Sequence, residues 1–91
     1  MGEDRRVTVE FYGIPRERAG RAEVTVQART VGELLAAIER ACPQLTGLLQ
    51  ADNRLSAHYR ISIDGQRFVT QLGDAVESGQ RVIILSADVG G

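Results

Sequence analysis

The sequence predicts an α+β domain of two layers, one amphipathic helix laid across one face of a mixed five-stranded sheet. Three observations predict it. Two N-terminal stretches alternate apolar and polar residues with period two, and a single apolar stripe of helical period runs from Val31 to Cys42. The third is Val82-Ile83-Ile84-Leu85, four apolar residues in a row, which reads as a strand buried in the middle of its sheet.

In residues 6–12, Val7, Val9 and Phe11 alternate with Thr8, Glu10 and Tyr12, the pattern of a half-buried strand. Gly13-Ile14-Pro15 ends it, and residues 16–20 read as a polar loop or one helical turn. Ala22, Val24 and Val26 alternate in a second strand, so the two form an antiparallel hairpin. Thr30-Val31-Gly32-Glu33 has capping-box spacing, Thr30 accepting from the Glu33 amide and Glu33 reaching back to the Thr30 amide. Val31, Leu34, Leu35, Ile38 and Cys42 then share one helix face. Pro43 stops that helix, because it lacks an amide and clashes with the preceding turn.

Leu45, Leu48 and Leu49 suggest a short helical turn on the core, and residues 50–55 a polar loop. Tyr59, Ile61 and Ile63 mark one face of a third strand, and Asp64-Gly65 is a two-residue hairpin signal leading to a short edge strand, 66–69. Residues 72–76 read as a tight helical turn, and Ser78-Gly79-Gln80 as a turn into the last strand. The order strand, strand, helix, strand, strand, strand fits a β-grasp with its first and last strands paired in the middle.

At 91 residues, 43% hydrophobic and 25% charged, the chain is one globular domain with a modest core. A net charge of −1 gives no pull toward nucleic acid or acidic membrane. All eleven basic residues are arginine, so no lysine amine is present for an activated carboxyl to attack. Cys42 is alone and forms no intrachain disulfide, and the first six residues lack the apolar core of a secretion signal, so a cytoplasmic location is expected. No apolar run is long enough to span a bilayer. His58 has no second histidine or cysteine near it, and a Gly-Lys-Ser/Thr phosphate loop is impossible without lysine, so neither a metal site nor a catalytic constellation is expected.

After the last strand the sequence runs Ser86-Ala87-Asp88-Val89-Gly90-Gly91. Glycine has no Cβ, so a Gly-Gly tail enters passages too narrow for a side chain. A carboxylate on Gly91 is placed to be presented inside another protein's active site.

Taken together, several pieces resemble the MoaD/ThiS-type ubiquitin-like sulfur carriers, and most of all the small subunit of molybdopterin synthase. They are Phe11-Tyr12-Gly13, Arg16-Glu17-Arg18-Ala19-Gly20 and Thr30-Val31-Gly32-Glu33-Leu34-Leu35. Asp64-Gly65, Leu72, Asp74-Ala75-Val76, Gly79-Gln80-Arg81-Val82 and Gly90-Gly91 complete the set, in register along nearly the whole chain. Two places depart from the pattern: Ser86-Ala87-Asp88-Val89 replaces a more apolar segment containing proline, and Asp74-Ala75 stands where Gly-Asp is common.

The resemblance implies a single ubiquitin-like domain with a flexible tail from about residue 86, acting as a carrier and not as an enzyme. It implies that a partner adenylyltransferase resembling the ubiquitin-activating enzymes, using ATP and Mg²⁺, adenylates Gly91, after which a sulfur donor leaves a C-terminal thiocarboxylate. Gly90, Val89, Asp88 and Ala87 would enter the partner's channel. The partner would be the large subunit of molybdopterin synthase, or another acceptor enzyme serving thiazole, cysteine or tRNA thiolation. The stretch from Pro43 to Ser56 argues against the shorter thiazole carriers. Ile83 and Leu85, bordered by Tyr12 and Phe68, are the expected docking patch, because an exposed apolar pair on a small domain marks an interface. Cys42 reads as a small core hydrophobe, Asp64 as turn chemistry and Glu33 as a cap. The competing reading is a β-grasp interaction module that is never activated; ubiquitin-like conjugation to amines is a further one.

Overall fold

A computed structural model of the chain describes residues 5–45, 50–51, 54–55, 58–69 and 71–87. Strand β1 (Arg6–Phe11) pairs antiparallel with β2 (Glu23–Gln27), Val7 opposite Val26 and Val9 opposite Val24. Between them residues expected as loop or single turn form a short helix, α1 (Ile14–Ala19). Pro15 suits its first turn, and the Gly20 amide donates to the Arg16 carbonyl at 3.0 Å in the left-handed conformation that glycine adopts without strain.

Helix α2 (Val31–Ala41) follows and buries Val31, Leu34, Leu35, Ala37 and Ile38. Thr30 Oγ1 accepts from the Glu33 amide at 3.2 Å, as the spacing predicts. The return bond differs: the Glu33 carboxylate accepts from the Arg29 amide at 2.8 Å, not from that of Thr30. Thr30 is bridged antiparallel to Ala75, and in that extended path Arg29 is the residue whose amide meets the carboxylate.

The same bridge corrects the helical turn expected at residues 72–76. A turn is present at Leu72-Gly73, the Asp74 amide donating to the Gln71 carbonyl at 3.1 Å, but it does not go on as a helix. Ala75 bridges Thr30, and the segment's carbonyls cap α2, the Val31 amide donating to Asp74 at 2.9 Å and the Gly32 amide to Leu72 at 2.8 Å. Amides of the first helical turn have no partner within the helix, so a chain passing across that end is held there. Val76 is buried beneath the crossing.

Past Cys42 the chain makes a 3₁₀ turn, Pro43–Leu45, with Leu45 fully buried; Leu48 and Leu49 lie outside the described residues. The plain loop expected at 50–55 is corrected too. Gln50–Ala51 (β3) pairs antiparallel with Arg54–Leu55 (β4), separated by Asp52-Asn53, residue types that favour turns. Strand β5 (Tyr59–Ile63) pairs with β6 (Arg67–Val69), Ile63 opposite Arg67, so the hairpin connection holds three residues and not two. Asp64 (φ 56°) and Gly65 (φ 68°) are both left-handed, and Gln66 is the added residue, its amide donating to the Ile63 carbonyl.

The last strand, β7 (Arg81–Ser86), lies at the centre of the sheet order β2-β1-β7-β5-β6, parallel to β1 and antiparallel to β5. This is the β-grasp order expected from sequence. Val82 and Ile84 are fully buried against α2's apolar face, in one core with Val7, Val9, Phe11, Ile61 and Ile63.

Ile84→Ala is expected to cost about 2–5 kcal/mol, the range for truncating a buried aliphatic side chain, whereas Ile83→Ala next to it costs clearly less. Thr30→Ala should cost about 1 kcal/mol through the lost cap. Urea midpoints at unchanged slope measure all three.

Candidate functional site

The alternation that buries Val82 and Ile84 turns Ile83 and Leu85 to the sheet face away from α2, where both are half-buried. The register sets their neighbours: Ile83 lies between Glu10 of β1 and Ser62 of β5, and Leu85 is opposite Arg60. The Tyr12 amide donates to the Ile84 carbonyl at 3.0 Å, which carries the β1 row one residue on and sets Tyr12 beside Leu85. Phe68 lies across Ser62 on β6. Residues far apart in sequence, Tyr12, Phe68, Ile83 and Leu85, thus share one face of the sheet.

Tyr12 and Phe68 are 48% and 56% exposed. Ser62 is buried on this same face, covered by its larger neighbours. The Arg60 guanidinium sits 5.6 Å from the centre of the Phe68 ring, a cation–π contact that restrains an exposed aromatic at a sheet edge.

A charged group borders the patch. Glu10 accepts from the Tyr12 hydroxyl at 2.8 Å and from the Arg81 guanidinium, which also approaches Glu23 at 3.9 Å. The Tyr12 hydrogen bond, with Arg81 second, holds the Glu10 carboxyl below the ordinary carboxylate range. The same bond to Glu10 holds the Tyr12 phenol above its ordinary value. Asp64 ties the β5–β6 turn to the start of β7: its carboxylate accepts from the Arg81 amide at 3.0 Å, and its own amide donates to the Arg81 carbonyl at 2.7 Å.

At the other end of β7 the Ala87 amide donates to the His58 carbonyl at 2.8 Å, extending the ladder one residue past the strand. Gly91, Gly90, Val89 and Asp88 lie outside the described residues. Cys42 is 2% exposed within the core, and His58 is exposed on the turn before β5. Among the described residues no three His, Cys, Asp or Glu side chains converge, and no helix is long and apolar enough to cross a membrane.

Of these residues the sequence singled out Tyr12 for the patch, but not Arg60, Glu10, Glu23 or Arg81 as its neighbours. Period-two parity assigns each to the outer face of its own strand, but only the parallel β1–β7 pairing shows that Glu10 and Arg81 meet.

The chain matches no family profile and no curated protein. Among solved structures it is similar to SAMP1 from Haloferax volcanii, at 26% identity and TM-score 0.81, over 94% of this chain and 99% of that one. It is similar to a chain in the Amycolatopsis orientalis BexX/CysO complex, at 25% identity and TM-score 0.82, over 93% and 99%. The small archaeal modifier protein 1 of Methanosarcina acetivorans shares the fold at 22% identity and TM-score 0.81, over 99% and 100%.

Glu10→Gln should return the Tyr12 phenol toward its ordinary titration, read from phenolate absorbance against the unsubstituted chain. Because Glu10 is lowered in the folded chain, its contribution to stability is present above the ordinary carboxylate range and is lost as pH falls through the lowered value. Tyr12 is raised, so its contribution is present below the ordinary phenol value and is lost as pH rises through the raised one.

Proposed function

We propose, from its membership of the MoaD/ThiS-type ubiquitin-like family, that this chain is a sulfur carrier whose Gly91 carboxylate is the cargo site. The observation that carries the reading is the apolar outer face of the central strand, whose described ladder runs to the Ala87 amide, with Gly91 four residues further along the sequence. Four residues reach at most about 14 Å. A partner covering Ile83, Leu85, Tyr12 and Phe68 therefore keeps its reacting centre within about that distance of Ala87.

The chemistry asks little of the chain itself. A carboxylate is a poor electrophile until its oxygen becomes a good leaving group. In this reading a partner adenylyltransferase promotes attack of the Gly91 carboxylate on the α-phosphorus of Mg²⁺-bound ATP, with loss of pyrophosphate. A sulfur donor then displaces AMP, and the resulting thiocarboxylate sulfur is nucleophilic at neutral pH. Gly90 supplies clearance, and Val89, Asp88 and Ala87 line the passage. The chain supplies docking, reach and the terminal carboxylate, and the partners supply catalysis, in the cytoplasm.

For the acceptor we favour the large subunit of molybdopterin synthase, on the motifs from Phe11-Tyr12-Gly13 to Gly79-Gln80-Arg81-Val82. A second reading, a carrier for a different acceptor, is supported by the 25% identity to a chain in the BexX/CysO complex.

Intact mass after incubation with an adenylyltransferase from the same organism, ATP-Mg²⁺ and a sulfur donor tests the carrier. One oxygen should be exchanged for sulfur, and deletion of Gly91 should abolish the gain. No gain, with activators shown active on their own carriers, would leave a binding module. Ile83→Asp or Leu85→Asp should weaken partner binding at least about tenfold while leaving the fold intact, since each buries a charge in the docked state. Unchanged affinity in both would move the docking site off this face.

A further inference from the structure

Resting on the carrier reading, we infer that the activated chain is inert toward its own kind: no side chain of one copy is a stable acyl acceptor for the Gly91 of another. Copies of it therefore do not become linked to one another through an internal side chain. The transfer concerned is attack of an amine on the Gly91 acyl adenylate. A C–N bond forms at the Gly91 carbonyl carbon, the bond to the AMP oxygen breaks, AMP leaves with the electron pair, and the amine gives up one proton. ATP, consumed by the activating partner, is the only co-reactant.

Two independent observations carry this. The first is the basic side chains: all eleven are arginine. A guanidinium stays protonated and delocalised at any physiological pH, so it carries positive charge without a nucleophilic nitrogen, whereas a lysine amine is an acceptor once deprotonated. Arg18, Arg21, Arg40, Arg60, Arg67 and Arg81 are exposed, so solvent-facing cations are plentiful and none can be acylated. The second is the single thiol. Cys42, the one side chain able to take the acyl group as a thioester, is 2% exposed at the C-cap of α2, within the core. Serine, threonine and tyrosine hydroxyls are weak nucleophiles while protonated, and the bond from the Tyr12 phenol to Glu10 raises that phenol's pKa further. An acyl group on the exposed His58 imidazole would hydrolyse. Within these 91 residues the α-amino group is the one remaining stable acceptor.

The functional consequence is that a reactive terminus can accumulate without consuming its carrier. A lysine-bearing carrier at the same concentration would lose activated termini to neighbouring copies. This one holds them until the sulfur donor or an outside amine arrives.

The test incubates the full chain with its adenylyltransferase and ATP-Mg²⁺ without a sulfur donor, with and without hydroxylamine, followed by intact mass and peptide mapping. ATP–pyrophosphate exchange is measured in parallel. Expected are pyrophosphate exchange, conversion to the Gly91 hydroxamate when hydroxylamine is present, and no dimer linked through an internal side chain when it is absent, any adduct mapping to the α-amine. Maleimide should leave Cys42 unlabelled in the folded protein and label it after denaturation. Dimers linked through an internal side chain, or native labelling of Cys42, would overturn the inference while leaving the carrier reading standing. Absence of both exchange and hydroxamate, with the activator proven on another carrier, would overturn the carrier reading and this inference with it.

Discussion

The parallel pairing of β1 with β7 is the constraint on which everything else depends. The two ends of the chain meet in the middle of the sheet, and the crossover between them contains the helix that covers one face. A parallel pair cannot be closed by a tight turn, so the intervening chain must travel over the sheet, and α2 with its apolar stripe is what makes that passage favourable. Removing the contact of Val82 with Val9, or of Ile84 with Phe11, would do more than open a cavity. It would detach the element that carries the outer patch and the tail.

The same strand divides its side chains between two tasks. Val82 and Ile84 fill the core while Arg81, Ile83 and Leu85 face outward, so the core and the outer apolar face draw on one segment with a period of two. Sequence change on the outer side is tolerated by the fold and can alter the partner. Change on the inner side is constrained by packing against Leu34, Leu35 and Ile38. Around the outer apolar side chains, Glu10, Arg81 and Glu23 make a polar rim.

Much of this was legible from residues alone. The alternation in β1, β2 and β5, the stripe of α2 and the apolar run at β7 gave the element order, because each is a local pattern set by backbone periodicity. The opposite facing of Ile83 and Leu85 follows from parity once Val82 and Ile84 are placed inside. What escaped was decided by contacts distant in sequence. In residues 72–76 the turn forms at Leu72-Gly73, yet the amides of Val31 and Gly32 and the bridge from Thr30 to Ala75 keep it from continuing as a helix. Glu33 was read as closing on Thr30, but the bridge to Ala75 brings the Arg29 amide to it instead. At the β5–β6 hairpin, Asp64-Gly65 signalled the turn correctly, while the extra Gln66 depended on the register of Ile63 with Arg67. The charged group about Glu10 needed the strand order itself.

The position of β7 between two partners also has a mechanical meaning. A partner that draws the tail into a channel applies tension along the axis of β7. Hydrogen bonds to β1 on one side and to β5 on the other run across that axis, so the load falls on both ladders together, in shear. They cannot be peeled one at a time from a free edge, as β2 or β6 could be. Pulled from its end, the domain would therefore resist extraction of β7 more than the stripping of an outer strand.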